Sequence, residues 1–352
     1  MRFRLLRNLR AGFSGAVILA VVSLGCLVQP TEAHSASDAL PNGTITAPAR
    51  PLRDLPATFV TLGTGGGPFI RLDRSESANA VVVGDQIYLF DVGYGVQRQM
   101  LRASLPLAKV RAIFLSHMHN DHNADLGAVI VQRWLLYNGK PMPVIGPPGT
   151  VVLVNAICVG NRATEGASAT EGGAQLPPMG LSVVAKDMAY ETDTPTVVYE
   201  DENIRVLAVI NTHYHLPSAR DDRHLPRSYS YRIETAHRVF VFTGDTGVSS
   251  NVERLAKGAD VLISEVIDLT SMETFLGKLP AEKRAALMKH MREDHLTPTE
   301  VGELAARAGV KEVVLTHLSP GRDGETDLSG YTKGIDTDFK GPVHVARDTD
   351  RW

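Results

Sequence analysis

An α/β fold built as one continuous unit is what this sequence predicts, and three observations carry the expectation. Apolar runs of strand length recur along the chain, at residues 111–116, 204–210, 238–243 and 312–316. Residues at helical spacing lie between them, as in Leu126, Val129, Ile130, Trp134 and Tyr137. Each run also leads to a residue suited to bind metal, namely His117, His213, Asp245 and His317. The carboxyl ends of strands are where α/β sheets place ligands and chemistry. Ligands spread from His117 to His317 can meet only within a single structural unit.

The N-terminus reads as a leader. Arg2, Arg4, Arg7 and Arg10 precede an apolar stretch from Ala11 to Val28, and small residues follow at Ala33 and Ala36. This is the layout of a secretory signal peptide, expected to span residues 1–33 and to send the chain to the periplasm or beyond. Lipid attachment at Cys26 and an uncleaved anchor are the competing readings. Ser23 and Leu24 are poor neighbours for a lipidated cysteine, and the stretch is short and broken by glycine and serine, so no stable membrane span is expected after cleavage. Loss of four arginines and one glutamate takes the net charge from -3 to -6. Such a chain has no general attraction to polyanions, so nucleic acid is not an expected partner. Only Cys158 remains, which excludes an intrachain disulfide and a zinc thiolate cluster. Residues 34–56, rich in Pro, Ala and Ser, read as a flexible lead-in, and residues 57–352 as the folded domain.

The glycine cluster at residues 63–67 follows the strand-like Thr58 to Leu62. It is not a dinucleotide finger, because Pro68 stands where the third glycine would be and the following residues start a helix poorly. Substrate contact and simple turn formation both stay open for it.

The densest signal is His117-Met118-His119-Asn120-Asp121-His122. Residues two apart in an extended chain share a side, so His117, His119 and Asp121 are expected to converge. A helix capped by Asp121 or Asn123 then turns the chain and aims His122 at a different centre. A lone histidine is more often structural than a ligand. Three imidazoles and a carboxylate crowded together would repel when protonated, which favours metal here. Imidazole and carboxylate ligands suit two divalent ions, zinc above all. Farther on, His213 has His215 and His224 as nearby competitors, while His34, His237, His290 and His344 stand outside the constellations and read as structural. Residues 161–180 read as a mobile loop, and the charged segment 215–227 as a candidate for shaping substrate access. Thr297-Pro298-Thr299-Glu300 spells a capping box with proline at the first helical position, so a helix carrying Val301, Leu304 and Ala308 starts just after His295.

Together these stretches resemble the metallo-β-lactamase superfamily, and more narrowly the branch containing ribonuclease Z and similar arylsulfatases. The resemblance runs through residues 61–67, 89–100, 117–122, 242–246, Ser264-Glu265, His295-Leu296-Thr297 and residues 315–320, covering most of residues 57–320 in order. It implies a four-layer αβ/βα sandwich. It also implies that His117, His119 and His213 hold one zinc, that Asp121, His122 and His317 hold the other, and that Asp245 bridges them. An activated water would lie between the metals in contact with Asp121, and the couple Glu265 and His295 would assist the departing group. Homodimers are common in that family.

These readings lead to an exported binuclear hydrolase of small anionic esters, an aryl sulfate or a phosphodiester, attacked by metal-activated water. No Gly-x-Ser-x-Gly elbow supplies a covalent nucleophile. A ribonuclease Z-type endonuclease is the alternative, opposed by the leader, by Arg162 as the sole basic residue of the 161–180 segment, and by Leu296 where that family has serine. A β-lactamase or lactonase would use the same centre on a carbonyl. A degenerate metal-binding protein without activity is disfavoured by the complete ligand set, and the fold alone does not choose among these substrates.

Overall fold

The computed structural model describes residues 48, 50–136, 139–168, 176–189, 192–214 and 226–352. The leader at 1–33, Tyr137, and the competitors His215 and His224 lie outside the described residues.

Two seven-stranded sheets organise the described residues. One has the order β14 (Asp350–Arg351), β1 (Ala57–Gly63), β2 (Ala78–Val83), β3 (Gln86–Val92), β4 (Val110–Phe114), β5 (Met142–Gly146) and β6 (Val183–Asp187). The other runs β13 (Val343–Val345), β12 (Glu312–Ser319), β11 (Val261–Ile267), β10 (Val239–Phe242), β9 (Tyr229–Glu234), β8 (Arg205–Ile210) and β7 (Thr196–Glu200). Each sheet is antiparallel at one end and parallel at the other.

Period-two burial explains why the strands read as nearly continuous apolar runs: both faces of each sheet are covered. In β3, Tyr88 and Phe90 enter the core between the sheets, whereas Ile87 and Leu89 enter a second core on the outer side. In β8, Val206 and Ala208 face the first sheet, and Leu207 and Val209 face away. Phe90 stacks on Phe114 with ring centroids 4.7 Å apart, and Tyr231 from the second sheet meets both rings edge-on. Burying each such ring contributes roughly 1.5–3 kcal/mol. Helices α1 (Val96–Arg102), α3 (Leu126–Leu135) and α4 (Thr150–Gly160) cover the first sheet, and α6 (Ser250–Ala256) and α9 (Pro298–Ala308) the second. The layers are therefore helix, sheet, sheet, helix, as expected. Among the described residues no helix is long and apolar enough to cross a membrane.

Several local expectations need correction. The helix after the histidine motif is entered at Asp125, not at Asp121 or Asn123, because residues 120–123 already form a one-turn helix, α2 (Asn120–Asn123). The span read as a mobile loop begins with helix α5 (Arg162–Ser168), where alanines and Glu165 are compatible with helix, and residues 169–175 lie outside the described residues. Within the lead-in, Arg53 N–H donates to the Glu202 carbonyl at 2.8 Å and Leu55 packs against the inter-sheet core. The capping box forms as expected: the Thr297 hydroxyl accepts from Glu300 N–H, and the Glu300 carboxylate accepts from Thr297 N–H.

Candidate metal centre

Four strand ends converge at one rim of the sandwich. After β4 the chain is clasped from the opposite sheet, where Tyr231 Oη donates to the Leu115 carbonyl at 2.6 Å and Tyr229 N–H to the Ser116 carbonyl at 3.0 Å. His117 thereby emerges fully buried. β8 delivers His213, and β10 delivers Asp245 through Gly244, whose φ of 57° and close approach to Ser116 require glycine. His317 differs from the other three. It lies inside β12, not beyond its end, at φ 46°, where the pairing with β11 slips by one residue. That irregularity acts as a bulge and turns the imidazole into the site.

The potential ligand atoms fall into neighbouring groups. His117, His119, His213 and Asp245 form one, and Asp121, His122 and His317 form another. The two-apart rule placed Asp121 with His117 and His119; instead, the turn at Asn120 ends the extended geometry and carries Asp121 beside His122. Asp245 Oδ2 lies 3.9 Å from His117 Nε2, 3.4 Å from His122 Nε2 and 3.3 Å from His317 Nε2, facing both groups. Asp121 Oδ2 is 3.4 Å from His122 Nε2 and 3.2 Å from His317 Nε2.

This donor set fits a divalent cation on evidence of its own. Among the described residues, His117 Nε2, His122 Nε2 and Asp245 Oδ1 are buried with no hydrogen-bond partner, an arrangement folded proteins rarely leave uncompensated. His213 Nδ1–H donates to the Asp294 carbonyl at 3.0 Å, so the Nε2 lone pair faces His119 Nδ1 across 3.1 Å. Two ring nitrogens turned on one point are what a cation satisfies.

Electrostatics divides the groups. Burial pushes His117 well below the ordinary imidazole range, lowers His119, and takes His213 down to about 3, so these rings are neutral donors at pH 7. Burial opposes protonation of His122 and His317 too, but Asp245 and Asp121 outweigh it and raise both. Burial would likewise raise Asp245 and Asp121, yet the facing histidines hold both below the carboxylate range.

Around these residues stands a supporting shell that the sequence reading only partly reached. Asp91 Oδ2 accepts from His122 Nδ1 at 2.7 Å, and the same carboxylate takes Ser116 N–H at 2.7 Å and Ser116 Oγ at 2.8 Å. Its sequence signal was an aspartate closing β3 before Gly93, a place shared with many turn residues. Tyr214 packs its ring on His213 at 4.8 Å and on His119 at 5.4 Å. Gly67 N–H donates to Asp121 Oδ2 at 3.0 Å, which resolves the role left open for the glycine cluster as close approach to the site. Glu265 and His295 are joined, Oε2 to Nδ1, at 2.6 Å, while the other Glu265 oxygen accepts Thr246 N–H at 2.6 Å. Burial works against the His295 charge, but Glu265 prevails and holds the imidazolium up to about 9. His237 and His344 sit apart, paired with Asp54 and Glu312. His290, also read as structural, lies nearer the site: its ring is 5.8 Å from that of His295, and it lines the same cavity.

A two-sheet sandwich with buried histidines and carboxylates gathered at one rim defines a class, the metal-dependent hydrolases. The sequence profile described as the beta-lactamase superfamily domain matches residues 87–318, and the chain belongs to that superfamily, in its ribonuclease Z branch. Ribonuclease Z of Mycobacterium bovis is 28% identical over 301 residues, spanning 83% of this chain and 96% of the relative. Ribonuclease Z of Mycolicibacterium paratuberculosis is 30% identical over 265 residues, spanning 74% and 86%. Among solved structures, human tRNase Z, short form, superposes with a TM-score of 0.58 at 20% identity over 84% of this chain and 98% of its own. The metallo-beta-lactamase fold protein YhfI of Bacillus subtilis gives 0.58 at 20% over 85% and 99%.

Proposed function

We propose that this chain is a two-metal phosphodiesterase of the ribonuclease Z type. His117, His119 and His213 would hold one ion, Asp121, His122 and His317 the other, with Asp245 facing both groups. The position of Asp245 Oδ2, within 3.9 Å of imidazole nitrogens from both groups, carries the reading. Zinc is the ion that this nitrogen-rich donor set suits best. Bound ions there supply Lewis acidity toward a phosphoryl oxygen and acidify a water.

The chain's own residues do the rest. Gly67 N–H fixes one Asp121 oxygen, and Asp91 fixes the His122 ring, so neither can swing away as charge develops. Glu265, itself pinned by Thr246 N–H, keeps His295 protonated and leaves its Nε2–H free to pass a proton to the departing oxygen. The names of the relatives favour a phosphodiester over an aryl sulfate, and they weaken the expectation, drawn from net charge, that nucleic acid is not a partner. Export, supported by residues 1–33, is kept as part of the proposal.

Purified metal-loaded protein is offered bis-p-nitrophenyl phosphate, p-nitrophenyl sulfate, nitrocefin, a homoserine lactone and a short RNA with a 3′ extension. Phosphodiester cleavage is the expected result, and turnover of the sulfate, lactam or lactone without it overturns the reading. His295→Ala should keep its metal content by elemental analysis while the rate falls roughly a hundredfold or more.

A further inference from the structure

A cavity of about 450 Å3 opens on the metal centre, within the rough 300–1,000 Å3 range of small-molecule sites. His119, Asp121, Asp245, His295 and His317 line one side of it. The other side has a different chemistry. Helix α7 (Leu269–Phe275), the 3-10 turn after it, and helix α8 (Ala281–Glu293) bring Met272, Phe275, Leu276, Leu279, Leu287 and Met291 to the same cavity. Phe69, from the loop that follows the glycine cluster, meets Phe275 edge-on at 5.7 Å.

This wall is not a piece of the main core. α8 contributes no fully buried residue, and Phe275, Leu279, Leu287 and Met291 are only partly buried in a small cluster separate from the three large ones. Apolar surface left partly in water beside a charged centre is stabilised by whatever covers it. The segment that forms the wall lies in sequence between Glu265 and His295, so the acid couple and the apolar surface are delivered together. Arg71 also lines the cavity: its guanidinium sits 5.7 Å from the Phe69 ring and 5.4 Å from the Phe275 ring and donates to the Pro320 carbonyl at 2.8 Å.

We infer that this wall receives an apolar, aryl-sized ester arm of the substrate, so that the favoured phosphodiester carries a plain hydrophobic ring close to the scissile bond. The inference rests on the phosphodiesterase reading above and narrows its substrate. A nucleobase is flat and of similar size, but although α8 also brings Lys283 and His290 to the cavity, amide edges set against the leucines and methionines would lack partners, which costs affinity.

Calorimetry on the metal-loaded protein with methylphosphonate, phenylphosphonate and thymidine 5′-phosphate separates the cases. Phenylphosphonate should bind at least tenfold more tightly than methylphosphonate and more tightly than the nucleotide. Phe275→Ala and Leu287→Ser, each at a partly buried position, should bring the phenyl-to-methyl ratio to within about threefold of unity, with metal content retained. Equal binding of the two phosphonates, preference for the nucleotide, or a ratio untouched by either variant overturns the inference. The comparison on the unaltered protein needs no variant to fold. Failure to cleave any diester, with the phenyl preference intact, would instead count against the phosphodiesterase reading alone.

Discussion

His122 is fully buried, with Asp91 on Nδ1 and Asp121 and Asp245 facing Nε2. Asp91 itself sits at φ 60°, an uncommon conformation for a residue with a side chain, and spends its carboxylate on Ser116 and His122. A carboxylate behind a ligating imidazole fixes the ring's direction and raises its basicity, and losing such a partner typically costs 10- to 100-fold in metal affinity. Asp91→Ala should therefore weaken metal binding by about that factor in competition with a chromophoric chelator. Unchanged affinity would show that packing alone orients His122. The candidate ligands were legible because three imidazoles and a carboxylate crowd into residues 117–122 and further ones recur after apolar strands. Asp91 follows a strand in the same way, yet spacing cannot tell a ligand from the group that braces one. Nor could spacing place Asp121, since the turn at Asn120 is set by the packing of α2 and not by the alternation of a strand.

Two backbone elements aim the site, the loop after β1 and the bulged end of β12, and they are stitched to each other. Gly66 N–H donates to the Leu318 carbonyl at 3.1 Å, and Leu318 N–H to the Thr64 carbonyl at 2.9 Å, so the loop of one sheet is held against the His317 bulge of the other. Asp348 ties the loop again, taking Thr64 N–H at 3.0 Å, Thr64 Oγ1 at 2.7 Å and Ser75 N–H at 2.7 Å. At Gly67 the approach leaves no room for a side chain, because a Cβ would lie 2.2 Å from Asp121 Cγ. Gly67→Ala should push Asp121 off His122 and His317, lowering bound metal and activity together while leaving the fold's circular dichroism unchanged. An alanine variant with full metal content and full rate would mean that the loop yields instead. Local chemistry explains which elements were readable beforehand. The capping box at Thr297 and Glu300 is a contract between residues three apart, visible in any sequence. The composition of residues 162–168 suits loop and helix alike, and the β12 bulge depends on pairing with β11, which no local window contains.

At the scale of the molecule, three apolar cores hold two sheets and their helices in register, and a charged pocket sits where the strands end. That architecture was legible because both faces of each strand are buried, which writes long apolar runs, and because distant ligands have to meet. The apolar wall of α7 and α8 was not, since its residues become one surface only after the helices fold against the rim. The charge pattern of the rim has a consequence for loading. His117, His119 and His213 are lowered by burial and are neutral at pH 7, so a cation displaces no proton from them. Asp245 and Asp121 raise His122 well above the ordinary imidazole range and raise His317 as well, so a cation must expel whatever proton these rings hold. Metal binding should release protons at pH 7, up to one from each of these two rings, and should weaken as the pH falls and protonation gains. Calorimetry in buffers of different ionisation enthalpy measures the release directly. Because a cation bound only by the folded chain stabilises it by RT ln(1 + [L]/Kd), about 4 kcal/mol at a thousandfold excess over Kd, chelation should also lower Tm. Proton-neutral loading would mean that His122 and His317 are not ligands and that the second group of the rim serves the fold alone, whereas a Tm indifferent to chelator would mean that neither group holds a stabilising ion.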